Sequence, residues 1–423
     1  MSDQVKPLSR GRVYYSFIVL YLLFMVDFMS RVGVNSLFPV IQEDLGLTDS
    51  QVGMLGSVVL VGMAVFVLPI SYIADRVSRK KTVIVLSIIW GLATLISATA
   101  DDYTTLLIMR FFVGLGNSGY AAVSVSMISG WFSEAQRGKA LSLYDTAMDL
   151  GVAVASAVCG ILAGLMGWQA TLAFVGVLSL LISVLSFFVP EERKQAERLA
   201  AQKKNNEKSK VDLKSAAKAV LKNKPLLAVS LGAGFNNFLY SATIGWMSMF
   251  MVRNMDYSIS VAGTIVGAVS LVGLIGYPIG GYIIDKWYQT DVRSRAWMGG
   301  LSGIFSGLCN GLAVYLQCVP LFFLGYIVVT IATAAPHIAT QELVEERFRA
   351  VSYGLYVVFI QAMGAVGPTL VGVISEASNL SFALASIQVF GLLAGLFYAI
   401  AGKLYIPTYK KVKKLEEQSE QTA

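Results

Sequence analysis

Long apolar runs, each closed by a short polar stretch, repeat along the whole chain. Twelve are legible, at 13–41, 52–74, 82–100, 104–132, 139–165, 168–189, 226–252, 260–284, 296–316, 320–343, 350–374 and 380–404. Each is close to or beyond the roughly 20 residues that a helix needs to cross a bilayer's hydrocarbon core. The pattern predicts an all-α membrane protein of twelve transmembrane helices. The longest polar segment, 190–225, divides the runs six and six. The domains expected are therefore an N-terminal six-helix bundle (1–189), a cytoplasmic linker (190–225), a C-terminal six-helix bundle (226–404) and a cytoplasmic tail (405–423).

Composition agrees with this class. Hydrophobic residues make up 56% and charged residues 14% of the chain, outside the range of a soluble domain. With the N-terminus inside, every cytoplasmic connection is basic, and of the 33 Lys and Arg residues only Arg31, Arg110 and Arg253 fall elsewhere. That asymmetry is the positive-inside rule, and it puts both termini in the cytoplasm of a cell (plasma or inner) membrane. The net charge of +7 then reflects contact with anionic headgroups, not nucleic-acid binding. The basic face of the linker is expected to lie along those headgroups. The first run is too long for a removable signal peptide and carries Asp27 and Arg31, so it reads as a retained span.

Two nucleotide-like signals dissolve on inspection. Gly114–Gly119 reads GLGNSG, a match to the dinucleotide fingerprint, but it sits inside an apolar run instead of between a strand and a helix. Lys139 in RGKAL lacks both the earlier glycine and the following Ser or Thr of a phosphate loop. Cys159, Cys309 and Cys318 lie in predicted spans as packing residues, and His337 is the one histidine, so neither metal nor other cofactor is expected.

The two halves echo each other. "SYIADRVSRKK" after the second run is answered by "GGYIIDKWYQTDVRSR" after the eighth, with Asp75 and Asp285 separated by 210 residues. Arg137 is answered by Arg349 at 212. Internal repeats of this kind mark secondary transporters.

On these motifs the chain resembles the major facilitator superfamily over nearly its whole length. The family's loop motif, G-x-x-x-D-[RK]-x-G-R-[RK], is matched at Asp75, Arg76, Arg79 and Lys80, with Ser71 and Ser78 in place of the glycines. Its fourth-span motif, R-x-x-x-G-x-G-x-x-G, is matched at Arg110, Gly114, Gly116 and Gly119. The resemblance implies alternating access and gives GLGNSG a helix-packing role. "RVGVNSLFPVIQEDLGLTDSQVGML" and "GAVGPTLVGVISE" are similar to organic anion:cation symporters and Spinster-like lipid transporters. Departures matter: Ser30 stands before Arg31 where an Asp is common, and Asn117 occupies the usual Glu position. In the family's gate, Asp75 caps a facing helix near Ser352, while Arg79 pairs with Glu134; Arg76 and Asp285 belong to the same element.

Ionisable groups at membrane depth cost about 2.5–3.5 kcal/mol each and so call for an explanation. Asp27 and Arg31 are four apart on one helix face, either as a structural ion pair or as a proton-titrating acid beside a substrate anchor. A guanidinium grips carboxylate, sulfonate or phosphate bidentately and stays charged. Asp145 and Asp149 repeat the spacing without a basic neighbour on their own helix; Asp149, deeper, is the better proton carrier and Asp145 a gating or packing residue. By resemblance Arg110 is a fourth-span arginine that bonds backbone carbonyls or an acid, with proton coupling as its other role. Asn117, Tyr120, Asn236, Asn237, Tyr240, Gln361 and His337 are candidate substrate contacts, with Trp246 an aromatic wall; packing is the plainer role for each. The expectation is a monomeric secondary transporter of a small organic anion, coupled to protons. Its alternatives are a lysolipid or amphiphile carrier, or a cation or drug exporter; nothing supports a membrane enzyme.

Overall fold

The computed structural model describes residues 9–190, 221–345 and 349–421, and every regular element among them is helical. In chain order these are α1 (Arg10–Val32), a 3-10 turn (Gly33–Leu37), α2 (Phe38–Leu45), α3 (Asp49–Arg76), α4 (Arg79–Ser97), α5 (Tyr103–Asn117), α6 (Tyr120–Trp131) and α7 (Glu134–Ser186). The second half holds α8 (Lys224–Asn254), α9 (Ile259–Tyr288), α10 (Ser294–Tyr315), α11 (Val319–Ala332), α12 (Ala334–Glu342), α13 (Arg349–Ala377), α14 (Leu380–Ile387) and α15 (Phe390–Gln421).

Each predicted apolar run coincides with helix. Nine stretches among the described residues are long and apolar enough to cross a membrane. One of them, Gln136–Ser186, covers the fifth and sixth runs and turns at Gly167, whose φ of 81° only glycine adopts without strain. Helices α8 and α10 are long enough but too polar to join that set; they bury Ser230, Ser248, Ser302, Ser306 and Asn310 against other helices. Residues 405–421, within the expected cytoplasmic tail, continue α15, whose last turns carry Lys410, Lys411, Lys413 and Lys414. Of the linker expected at 190–225, residues 191–220 lie outside the described residues.

Four spans expected as single helices are interrupted: the first, the fourth, the tenth between α11 and α12, and the twelfth between α14 and α15. In the fourth and the first the local reason is visible. The fourth breaks at Ser118, extended, and Gly119, left-handed at φ 74°. The Ser118 hydroxyl donates to the Leu115 carbonyl at 2.6 Å, taking up one of the acceptors a helix end leaves free. The first breaks after Val32, where the chain tightens into the 3-10 turn before Pro39 opens α2. GLGNSG does pack helices closely: a Cβ at Gly116 would lie 2.6 Å from the Trp90 amide nitrogen, and one at Gly114 would strike the Val59 carbonyl.

Side-chain bonds define the two ends of the bundle. At the end away from the termini, Asp44 accepts from Trp168 at 2.8 Å and Asn254 donates to Ser381 at 3.0 Å. At the terminal end, Asn223 donates to the Leu343 carbonyl at 2.7 Å and Tyr405 to Glu342 at 2.8 Å. The halves meet tightly at the distal end. Asp49 takes both Arg253 nitrogens, at 2.8 and 3.0 Å, and the Ser375 hydroxyl at 2.5 Å; Gln42 joins Arg253 in the same cluster. Glu376 receives the Ser50 amide and hydroxyl, each at 2.8 Å, at the exposed start of α3. Beside them Gly160 leaves so little room that a Cβ would lie 2.8 Å from the Ile259 carbonyl.

Candidate functional site

A central cavity lies between the halves, in two adjoining lobes of about 160 and 190 Å³ that share Met148, Asn237 and Tyr240 as walls. One lobe holds Arg31, Phe28, Asn35 and Gln361; the other extends toward the terminal end past Tyr277 and Tyr326 to His337. Among the described residues Arg31 is the one charged side chain lining either lobe.

The break in the first span is what presents Arg31. Where α1 gives way to the 3-10 turn, the carbonyls of Ser30 and Arg31 need donors. Arg110, buried on α5, supplies both: its Nη1 donates to Ser30 at 2.7 Å and its Nη2 to Arg31 at 2.9 Å, with Nε 3.4 Å from the Leu55 carbonyl. Arg110 therefore spends its fork on backbone, the carbonyl-bonding role expected of it. The Arg31 guanidinium stands 4.0 Å over the Phe28 ring and donates Nη1 to the Met63 thioether at 3.1 Å. Its buried Nε has no partner.

Asp27 and Arg31 share a helix face but form no ion pair within 4.0 Å. With its amide nitrogen turned toward Asp27, as the hydrogen-bond pattern demands, Asn117 donates to Asp27 Oδ1 at 3.0 Å and to the Val113 carbonyl at 3.2 Å. Asp27 and Asn117 are both buried in the first half. Tyr120 packs there too: its hydroxyl donates to the Leu20 carbonyl at 2.9 Å and its ring meets the Trp90 ring edge-on at 5.2 Å. Asn117 and Tyr120 thus stand apart from the cavity walls.

Asp149 is fully buried where the halves meet. The Tyr326 hydroxyl, from the second half, donates to its Oδ1 at 2.9 Å, while Oδ2 has no hydrogen-bond partner. The Tyr240 ring lies 6.0 Å from that of Tyr326, and its buried hydroxyl is unpartnered. Asp145, one turn toward the terminal end, is exposed.

Most of the second half's polar lining is fixed by one device. Pro368 has no N–H to give the Gly364 carbonyl, and the Ser241 hydroxyl fills that place at 2.6 Å. Asn237 donates to Ile360 at 2.7 Å and Trp246 to Pro368 at 2.9 Å, so α8 is laced to successive carbonyls of α13. Asn236 is tied instead to the Gly299 carbonyl at 3.0 Å, leaving its own side-chain oxygen without a donor. Gln361 reaches Met63 Sδ at 3.3 Å. His337 packs between Tyr353 and Tyr356, with ring centroids at 5.8 and 5.3 Å.

The gate candidates are only partly visible. The side chains of Asp75 and Glu134 lie outside the described residues. Arg76 stacks 4.1 Å over Tyr72, Asp285 is exposed near the end of α9, and Arg79 opens α4. Ser352 donates its hydroxyl to the Thr340 carbonyl at 3.0 Å.

Sequence reasoning missed Met63, Tyr277 and Tyr326, as well as Asn35, whose side-chain oxygen is buried without a donor. Asn35 is a polar residue inside an apolar run and Tyr277 precedes Pro278; both are signals of a kind. Met63 and Tyr326 stand in apolar runs where nothing local marks them.

A helical bundle with a half-to-half cavity and closely packed distal helices has the architecture of a polytopic membrane transporter. The sequence pattern of the Major Facilitator Superfamily matches residues 20–368, and the chain belongs to that family: it is a multi-pass membrane transporter, not an enzyme. It is 25% identical to the hexuronate transporter of Bacillus subtilis (strain 168), over 84% of this chain and 86% of that one. It is 26% identical to a probable sulfoacetate transporter of Cupriavidus necator, over 70% and 69%. Its fold matches the solved inward-facing, occupied structure of a bacterial homologue of the human lysosomal transporter Spinster, with a TM-score of 0.81, 20% identity, and coverage of 95% of this chain and 99% of that one.

Proposed function

We propose that this transporter carries a small organic anion by proton-coupled symport, with Arg31 as the anchor for the anion. The observation that carries the reading is Arg31 itself: the only charged side chain on the cavity walls, with no carboxylate within ion-pairing distance among the described residues. A guanidinium so placed is completed by an anionic ligand. The relatives named for hexuronate and sulfoacetate, both small organic anions, support the same class. Asp149, buried against a tyrosine of the other half, is the proposed proton carrier, with Asp27 a second titrating acid.

In this reading residues 1–189 and 226–404 are the two rocking bundles, joined by the segment 190–225, in a monomer whose terminal end faces the cytoplasm of the cell membrane. Asp75, Arg76, Arg79, Glu134 and Asp285 form the gate at that end.

The test is uptake of labelled D-glucuronate and sulfoacetate into proteoliposomes holding an acid-outside gradient. Accumulation above equilibrium that a protonophore abolishes supports symport. Uptake that ignores the gradient rejects proton coupling, and no uptake of any organic acid rejects the substrate class. A second reading, an amphiphile carrier, is favoured by the apolar walls Phe28, Val32, Leu60 and Ile244. It requires lysophospholipid to compete where short-chain acids do not.

A further inference from the structure

Two residues that line the cavity, Arg31 and Gln361, share a contact behind its wall that is chemically mismatched. Two good donors from opposite halves, Arg31 Nη1 and Gln361 Nε2, converge at 3.1 and 3.3 Å on a single acceptor, the Met63 thioether sulfur. A thioether is among the weakest acceptors a side chain offers. A guanidinium is a full charge, and where it is half-buried, as here, a weak acceptor compensates its lost hydration only in part. The surroundings do not repair this: Phe28 covers one face of the guanidinium at 4.0 Å, and the Arg31 Nε is buried without a partner. Met63 is an unbranched, three-torsion side chain, able to swing without moving α3.

We propose that Met63 is a displaceable plug: the anionic group of the substrate takes the place of the sulfur and is held by Arg31 from the first half and Gln361 from the second. This rests on the organic-anion reading and adds to it a mechanism of coupling. While the thioether occupies the spot, Arg31 and Gln361 are joined only through a weak contact. Once an anion replaces it, the same two donors make charge-assisted hydrogen bonds to one group, which are shorter and about twice as strong as neutral ones. Substrate thereby ties the halves together at mid-depth, where rocking must pass. Met63 sets affinity by competing for the donors, so affinity should fall as the acceptor at position 63 becomes stronger.

The experiment is equilibrium binding of D-glucuronate and of sulfoacetate, by titration calorimetry on the purified full chain. Wild type is compared with Met63→Leu, which removes the acceptor at similar volume, and Met63→Gln, which supplies a stronger one. Thermal unfolding of each ligand-free variant checks that it is folded. The expected order of affinity is Leu, then Met, then Gln, with steps of about five-fold, roughly 1 kcal/mol each. Gln361→Leu should weaken binding about ten-fold in wild type, as loss of a hydrogen bond to a charged group does. A structural methionine would lower stability in Met63→Gln without ordering affinity. If wild type binds either probe and the three residues at position 63 agree within two-fold, the plug is overturned and the organic-anion reading stands. If wild type binds neither probe, both fall together.

Discussion

At the residue scale the site is a set of donors held in place by backbone. Arg31 faces the cavity because Arg110 satisfies the two carbonyls that the break after α1 releases. Two substitutions separate the roles. Arg31→Lys keeps the charge but loses the planar fork, and binding of the transported anion should weaken ten-fold or more, about 1.4 kcal/mol. Arg110→Lys leaves Arg31 intact but replaces the planar fork on the two carbonyls with a shorter point donor. It should lower thermal stability as well as affinity, whereas Arg31→Lys should lower affinity alone. An Arg31→Lys variant that binds like wild type makes Arg31 a packing residue. Asp149→Asn preserves size and the chance of a bond to Tyr326. Gradient-driven accumulation should vanish while binding remains measurable, and a variant that still accumulates substrate removes Asp149 as carrier.

Helix breaks, at the scale of elements, do the positioning that continuous spans could not. Gly119 is the clearest case: at φ 74° an added Cβ is strained, and it would also meet the Ile70 side chain at 3.0 Å. Gly119→Ala should cost about 1–3 kcal/mol, read as a lowered unfolding midpoint in detergent. Gly114→Val tests helix contact instead of backbone strain. The new side chain would be driven into the Val59 carbonyl of α3, and overpacking of this kind costs about 1–3 kcal/mol. Normal stability in both variants would mean that GLGNSG tolerates bulk and that its packing role is wrong. The sequence located this motif and its glycines correctly but drew one helix through it, because apolarity does not report φ. The same holds for the first span, where Gly33 and Pro39 were visible while the tightening between them was not.

For the whole molecule, the halves are joined by a distal latch and a mid-depth bridge. Asp49 binds Arg253 and Ser375 from the second half, and Asp149 binds Tyr326. Distal opening has to break the first of these. Arg253→Gln should therefore raise the distal-open population several-fold; the pair is part-exposed, so its contribution is about 1 kcal/mol at most. A cysteine at Ser57, which meets Thr369 across the halves at 2.7 Å, reports this when the native cysteines are replaced. Faster labelling by an impermeant reagent is the expected result, and unchanged labelling dismisses the latch.

The sequence by itself determined the fold class, since bilayer thickness and backbone hydrogen bonding convert long apolar runs into helices whatever their neighbours. It also marked the charged candidates, because a charge inside an apolar run stands out against a medium that penalises it. Partner choice was decided only in three dimensions. The spacing of Asp27 and Arg31 permits a pair, yet Asn117 on another helix takes the acid and Met63 on a third takes the cation. Asn117, Tyr120 and Arg110 were equally prominent in sequence and turn to the interior of the first half. Periodicity gives a residue's face on its own helix; which neighbour meets that face depends on how helices far apart in sequence pack, and local pattern carries no record of that.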